Sequence, residues 1–378
     1  MDKQLFRASA LLSGTIIGAG VLGIPYVVAQ SGFLTGLLAI LILGVAILLM
    51  NLFMGEIVLR TPGNHQLPGY AEKYLGKWGK RIAICSMFLV IYGALVAYII
   101  GEGAALSAIL GLTPFISSII FFIFVSIFIF IGLKAITKYE LLFASIVLFL
   151  ILLISGFAIF SSQFNISNLA TFDITKIFIP YGVILFAFAG AASIPEMKEY
   201  LSHDRKKLKN AIILGSLIPI ASYILFAFTT IAITGTSTTE IATIGLGNYL
   251  GSSMILFGNI FAIFAMLTSF LTLALAMKEI YMYDYNIKPL SAWLLTMSLP
   301  LIIFLFGATS FITVVGLTGA VAGGLEGILI TLIYFRARKE GSRQPEYKLN
   351  KKRFLSIFGA ILILVFILGI INELFHLI

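Results

Sequence analysis

The sequence predicts an all-α polytopic membrane protein with eleven transmembrane helices and a cytoplasmic N-terminus. Composition is the first observation behind this. Of 378 residues, 60% are hydrophobic and only 11% charged, whereas a soluble chain is about 45–50% apolar and about 25% charged. Mean hydropathy is +1.09. The second observation is that the apolar residues come in continuous runs. A bilayer core about 30 Å thick needs about 20 apolar residues at 1.5 Å rise each. The third is the one-sided placement of lysine and arginine. A soluble enzyme, a nucleic-acid binder and a disordered chain are thereby excluded.

In chain order the runs cover residues 6–30, 33–60, 82–110, 114–132, 137–161, 179–201, 208–233, 250–283, 289–307, 310–335 and 354–377. They are continuous rather than alternating, which excludes a strand barrel. The first run follows Lys3 and Arg7 but is too long for a signal-peptide core and leads directly into the second, so it reads as a retained span. Eleven spans put the termini on opposite sides. With the N-terminus inside, every one of the 25 lysines and arginines except Lys176 falls on an inner segment. One span more or fewer would scramble that asymmetry. The net charge of +9, including the cluster Arg205 to Lys209, is therefore an orientation signal.

The inner connectors 61–81 and 336–353 and the outer loops 162–178 and 234–249 are modest. The expectation is one membrane transport domain over residues 1–378 in the plasma membrane, that of a prokaryote. Cys85 is the lone cysteine, and His65, His203 and His376 are scattered, so a disulfide framework, a thiolate metal site and a resident cofactor are not expected. The chain carries no Asp-rich motif, HExxH or Ser/His constellation, and no catalytic residue is assigned.

Spans 1 and 6 share a pattern. Span 1 reads GTIIGAGVLGIPY from Gly14 to Tyr26, and span 6 reads FAFAGAASIPEM from Phe186 to Met197. The interval from Gly20 to Pro25 recurs from Gly190 to Pro195. Five spans separate the two, so they cross in opposite directions. A five-plus-five inverted repeat is the consequence, over about 5–161 and 179–335, with 354–377 as an added helix. Glycine weakens a helix and lets other chains approach, and proline removes a donor. Unpaired backbone groups cannot face lipid, so both breaks must line a protein cavity. Half-helix ends there suit a zwitterion. Its carboxylate is expected on the amides of Gly18, Ala19 and Gly20 beside Thr15. Its ammonium is expected on carbonyls of Phe186, Ala187, Phe188 and Ala189 before Gly190. Packing kinks are the structural alternative.

These two motifs resemble the amino acid/auxin permease family of the amino acid–polyamine–organocation superfamily, with the LeuT-type fold. The resemblance implies secondary active transport of amino acids driven by sodium or protons. Span 8 contains AMLTSFLT, Ala265 to Thr272. Its A-x-x-T-S stretch is similar to that of sodium-coupled members, which implies a sodium site at Ala265, Thr268 and Ser269 with carbonyls of Gly14 and Ile17. Oxygen ligands without net charge suit a hard cation, although both hydroxyls can instead bond back to their own helix. Residues 139–161 contain no lysine or arginine, unlike some proton-coupled relatives that place a fifth-span lysine at the ion position. The resemblance also implies a third-span tyrosine at the substrate carboxylate: Tyr98, with Tyr92 second.

Intramembrane carboxyls are functional suspects. Glu326 in GAVAGGLEGILI and Glu102, four residues after Tyr98, are the proton-coupling candidates, with a structural hydrogen-bonding role as the alternative for Glu326. Glu56 reads as a local partner of Arg60, Glu196 as a cap or inner gate, and Asp284 as an ordinary surface charge, with a pair to Arg7 in an inner gate as the alternative. Phe186, Phe188 and the alanines 187, 189, 191 and 192 offer faces and room without fixed charge, which favours a neutral substrate, apolar or aromatic. The expected partners are that amino acid and the bilayer, with no nucleic acid and no obligatory protein. Proton coupling through Glu326 is the alternative mechanism. A membrane-embedded enzyme or a channel-like subunit is the alternative class.

Overall fold

The computed structural model describes residues 3–63, 65–132, 140–349 and 352–377. Lys134, Lys138, Lys351 and the start of the fifth span lie outside the described residues. Among those described, all regular structure is helical. In order come α1 (Lys3–Ile16), α2 (Gly20–Ser31), α3 (Phe33–Arg60), α4 (Leu67–Leu110), α5 (Pro114–Ile131) and α6 (Glu140–Ile159). Then come α7 (Tyr181–Ala187), α8 (Ile194–Tyr200), α9 (Leu208–Thr234), α10 (Ala242–Leu250), α11 (Ser252–Tyr283) and α12 (Pro289–Leu305). The chain finishes with α13 (Phe311–Thr318), a π-helical turn Gly319–Gly323, α14 (Gly324–Glu340) and α15 (Lys352–Leu377).

Among the described residues, seven helical stretches are long and apolar enough to cross a bilayer. The pair α1 and α2, bent by 60° at its break, makes an eighth. Helices 144–159 and 289–305 are shorter, and α7 and α8 have seven residues each. The surfaces carry the membrane signature. Helix α5 exposes Ile116, Ile120, Ile123, Ile127 and Phe130 while burying Ser117, Phe121, Val125 and Ile129. Large apolar side chains pointing outward along a helix that bonds all its own backbone suit lipid, not water. The molecule is a multi-pass plasma-membrane protein.

Connector 61–81 differs from expectation. Residues 67–76 are already helical, and α4 continues after a break at Gly76, whose φ of 75° and ψ of −166° no helix contains. Glycine adopts that conformation without a Cβ penalty, so an amphipathic turn can lie across the end of the span.

Glu56 does more than pair locally. Its fully buried carboxylate accepts from Arg60 Nη2 at 2.7 Å and Nε at 2.9 Å. It also accepts from the Leu349 amide at 2.9 Å and the Tyr334 hydroxyl at 3.4 Å, with Arg338 Nε 3.8 Å away. One charge thus ties α3 to α14 and to the 341–349 connector, where Tyr347 donates to the Leu52 carbonyl at 2.8 Å. Leaving such a buried charge without its partners costs about 3–5 kcal/mol. At the opposite end, the Glu240 carboxylate caps α13 by accepting from Ser310 Oγ at 3.0 Å and the Ile312 amide at 3.2 Å.

Candidate functional site

The first break is short. The Ile17 amide still reaches Ser13 at 2.8 Å, but the Gly18 amide turns to Ile16 at 2.9 Å, and α2 restarts at Gly20. Among the described residues, the Ala19 and Gly20 amides donate to no backbone acceptor, and the carbonyls of Gly14, Thr15 and Ile17 receive no backbone donor. The expected three-amide cradle is therefore two amides, since that of Gly18 is used internally. Pro25 does not cause the break. It sits inside α2, a turn and a half beyond it.

The second break is longer. Helix α7 ends at Ala187, a single 3-10 turn covers Ala191–Ser193, and α8 begins at Ile194. The Phe186 carbonyl is taken by the Ala189 amide at 3.2 Å, whereas the Phe188 and Ala189 carbonyls receive no backbone donor among the described residues. Pro195 stands in the first turn of α8, where its missing N–H costs nothing.

The two breaks cross in contact. A Cβ on Gly20 would lie 2.6 Å from the Ala187 Cα, and one on Gly190 would lie 2.5 Å from Ile16 Cγ1. Each break thus reaches the residue flanking the other.

A cavity of about 710 Å³ opens from this crossing. Gly14 to Gly20, Tyr98, Phe186, Ala187, Ala189 to Ala192, Ala265, Thr268, Ser269 and Glu326 all line it. It extends to Gln66–Pro68, Glu279, Tyr283 and Asp284. Tyr98 and Phe186 meet edge-on with ring centroids 6.5 Å apart. Ser269 lies beside Gly18, where a Cβ would come within 3.2 Å of its Oγ, and it neighbours the Tyr98 hydroxyl. Thr268 donates to Phe264 at 2.8 Å and Ser269 to Ala265 at 2.9 Å. A hydroxyl that donates backwards keeps lone pairs for a cation, so both remain available as ligands.

The structure places four of the sequence candidates elsewhere. Phe188 does not line the cavity; it is buried, with its ring 5.0 Å from that of Tyr223. Glu102 is also away from the cavity lining, fully buried with neither carboxyl oxygen hydrogen-bonded among the described residues. Arg7 lines a second pocket with Leu11, Glu196, Glu199 and Tyr200, whereas Asp284 lines the main cavity; Glu196 borders both. Tyr92 likewise points elsewhere, to the Tyr281 hydroxyl at 2.8 Å and the Leu295 carbonyl at 3.1 Å.

Other contributors carried no sequence signal. The π-helical turn at Gly319–Gly323 packs its first glycine against Gly182 and Phe186, and Ser86 donates to the Ala322 carbonyl at 2.9 Å. Such a turn adds a residue to the helix and re-aims the side chains beyond it, here Glu326. Tyr223 of α9 donates toward both breaks at once, to the Ile16 carbonyl at 2.8 Å and the Ala187 carbonyl at 2.9 Å.

Comparison with known proteins decides the family. The tryptophan/tyrosine permease family model matches residues 1–376. The chain belongs to the tryptophan/tyrosine permease family. This is the family shown, in place of the amino acid/auxin permeases that the two motifs resemble; both are amino acid transporter groups. The glutamine transporter 2 of Aliivibrio fischeri is 28% identical, over 93% of this chain and 93% of its own. The tyrosine-specific transport system 1 of Haemophilus influenzae is 28% identical, over 98% and 96%. The tryptophan-specific transport protein of that organism is 23% identical, over 98% and 95%. Among solved structures, MhsT in complex with L-phenylalanine superposes with a TM-score of 0.68 at 14% identity, covering 99% of this chain and 98% of that one. An Eremococcus coleocola manganese transporter superposes at 0.63 with 11% identity, over 97% and 86%. These likenesses show the LeuT-type fold. The permease is a transporter, not an enzyme.

Proposed function

We propose that this permease imports a neutral amino acid, apolar or aromatic, by sodium symport with alternating access. Eleven spans with the N-terminus inside, in one domain of two inverted repeats, are part of the same reading. The observation that carries it is the crossing of the two breaks over the cavity. Free amides of Ala19 and Gly20 are placed for a carboxylate, and the free carbonyl of Ala189 lies on the opposing segment, a dipolar pair suited to a zwitterion. The substrate class rests on Tyr98, Phe186, Val90, Ile91 and Ala94 around the same space. The names of the relatives, which specify tyrosine, tryptophan and glutamine, support a neutral side chain. Among the described residues no lysine or arginine lines the cavity, and Glu279 lies ten residues from Ser269, about 15 Å along α11. Sodium is favoured by the Gly14 and Ile17 carbonyls, freed in the first break and lining the same cavity as Thr268 and Ser269.

Uptake into proteoliposomes tests this. The expected outcome is saturable accumulation of tyrosine, tryptophan or another neutral amino acid under an inward sodium gradient, without product formation. A proton-coupled reading is favoured by one observation, the placement of Glu326 on the cavity wall. Under sodium coupling, Glu326→Gln retains sodium-driven uptake within about twofold. Uptake indifferent to sodium, abolished by an uncoupler and lost in Glu326→Gln, moves the coupling to protons.

A further inference from the structure

The two broken segments need something to hold them in register, because neither has a continuous backbone ladder there. Among the described residues, one side chain is bonded to both. Tyr223 on α9 is fully buried, and its hydroxyl lies 2.8 Å from the Ile16 carbonyl and 2.9 Å from that of Ala187. Those carbonyls belong to the last residues of α1 and α7, the stumps on which the two breaks begin. A hydroxyl has one hydrogen, so the two oxygens share it in a three-centre bond. The Ile16 carbonyl also accepts from the Gly18 amide at 2.9 Å, whereas that of Ala187 has no backbone donor among the described residues, and an unmet backbone group at membrane depth costs a few kcal/mol.

We infer that Tyr223 is the positioning residue of the substrate site, its hydroxyl pinning the Ile16 and Ala187 carbonyls so that the amides of one break and the carbonyls of the other hold a substrate-sized separation. The ring has a separate job. Phe188 packs against it at 5.0 Å with an interplanar angle of 48°, which seats the hydroxyl and draws Phe188 off the cavity wall. Tyr223 itself touches no substrate, since it is not on the cavity lining. The inference rests on reading the cavity as the substrate site.

The ring and the hydroxyl can be separated. Tyr223→Phe keeps the packing and removes the pin. The expected result is a KM for the transported amino acid raised about tenfold, the size expected from losing a hydrogen bond and stranding the Ala187 carbonyl, with Vmax within about twofold. A purely structural role predicts the reverse, a lower Vmax from less folded carrier at unchanged KM, and that outcome overturns the inference. Should Tyr223→Phe fail to fold, 3,5-difluorotyrosine at position 223 keeps ring and hydroxyl and makes the hydroxyl a stronger donor. KM then falls at least about twofold, and an unchanged KM in that folded carrier overturns the inference. Gly20→Leu is assayed beside both. If it abolishes uptake while Tyr223→Phe leaves KM unchanged, the pin alone is refuted. If neither variant changes uptake, the cavity is not the substrate site.

Discussion

The two breaks come from similar sequence but are built differently. In the first, α1 and α2 are separated by three residues, and a Cβ on Gly20 would strike the Ala187 backbone. In the second, six residues separate α7 from α8 with a 3-10 turn among them, and a Cβ on Gly190 would strike only side chains, those of Ile16 and Leu12. One break is tight and mated to backbone, and the other is loose and padded by side chains. Packed interiors yield where a side chain can change rotamer and resist where the neighbour is main chain. In the function proposed above, the tight break fixes the substrate's carboxylate and the cation, while the loose one leaves room for different side chains.

Substitutions that ignore the difference break the comparison, and those that respect it sharpen it. Gly20→Leu is expected to abolish amino acid uptake, and Gly20→Ala to raise KM about 30-fold, as overpacking against immovable backbone costs about 1–3 kcal/mol. Near-normal kinetics for Gly20→Ala would remove the contact from the site. Next comes Thr268→Ala. The sodium concentration for half-maximal uptake should rise about tenfold while the amount of folded carrier, judged by size-exclusion yield, stays at the parent's level. Equal sodium dependence in parent and variant would take Thr268 out of the ion site. Gly190→Ala should raise KM only about fivefold, because Ile16 can turn away; a loss as large as that of Gly20→Ala would erase the distinction between the breaks. Pro25→Ala is expected to change KM less than about twofold, since the helix around it is intact, and thermal stability in detergent should not fall.

Much of this was legible in the chain. The spans declare themselves through continuous apolar runs, and a helix must break where Gly18, Gly20 and Gly190 offer little to hold it. What the pattern misassigned was cause and direction. Pro25 draws attention as a helix breaker, yet the turn opens several residues before it, at Ile17 to Ala19, where the Gly18 amide abandons its helical partner. Phe188 alternates with Phe186 and looks equally available, but without a continuous helix the spacing no longer says which of the two faces the cavity. Tyr223 could not be found from sequence at all. An apolar helix with one tyrosine reads as packing, and its meaning exists only once α1 and α7 have converged on it. Glu56 shows the same limit, because its partner at Arg60 is local while Tyr334, Arg338 and Leu349 arrive from almost 300 residues away.

The most direct test is a structure of the carrier solved with sodium and its tightest-binding amino acid. The substrate is expected at the crossing of the breaks, its carboxylate on the amides of Ala19 and Gly20 and its ammonium on the carbonyl of Ala189. Density for the amino acid elsewhere, with that crossing filled by protein side chains, would contradict it.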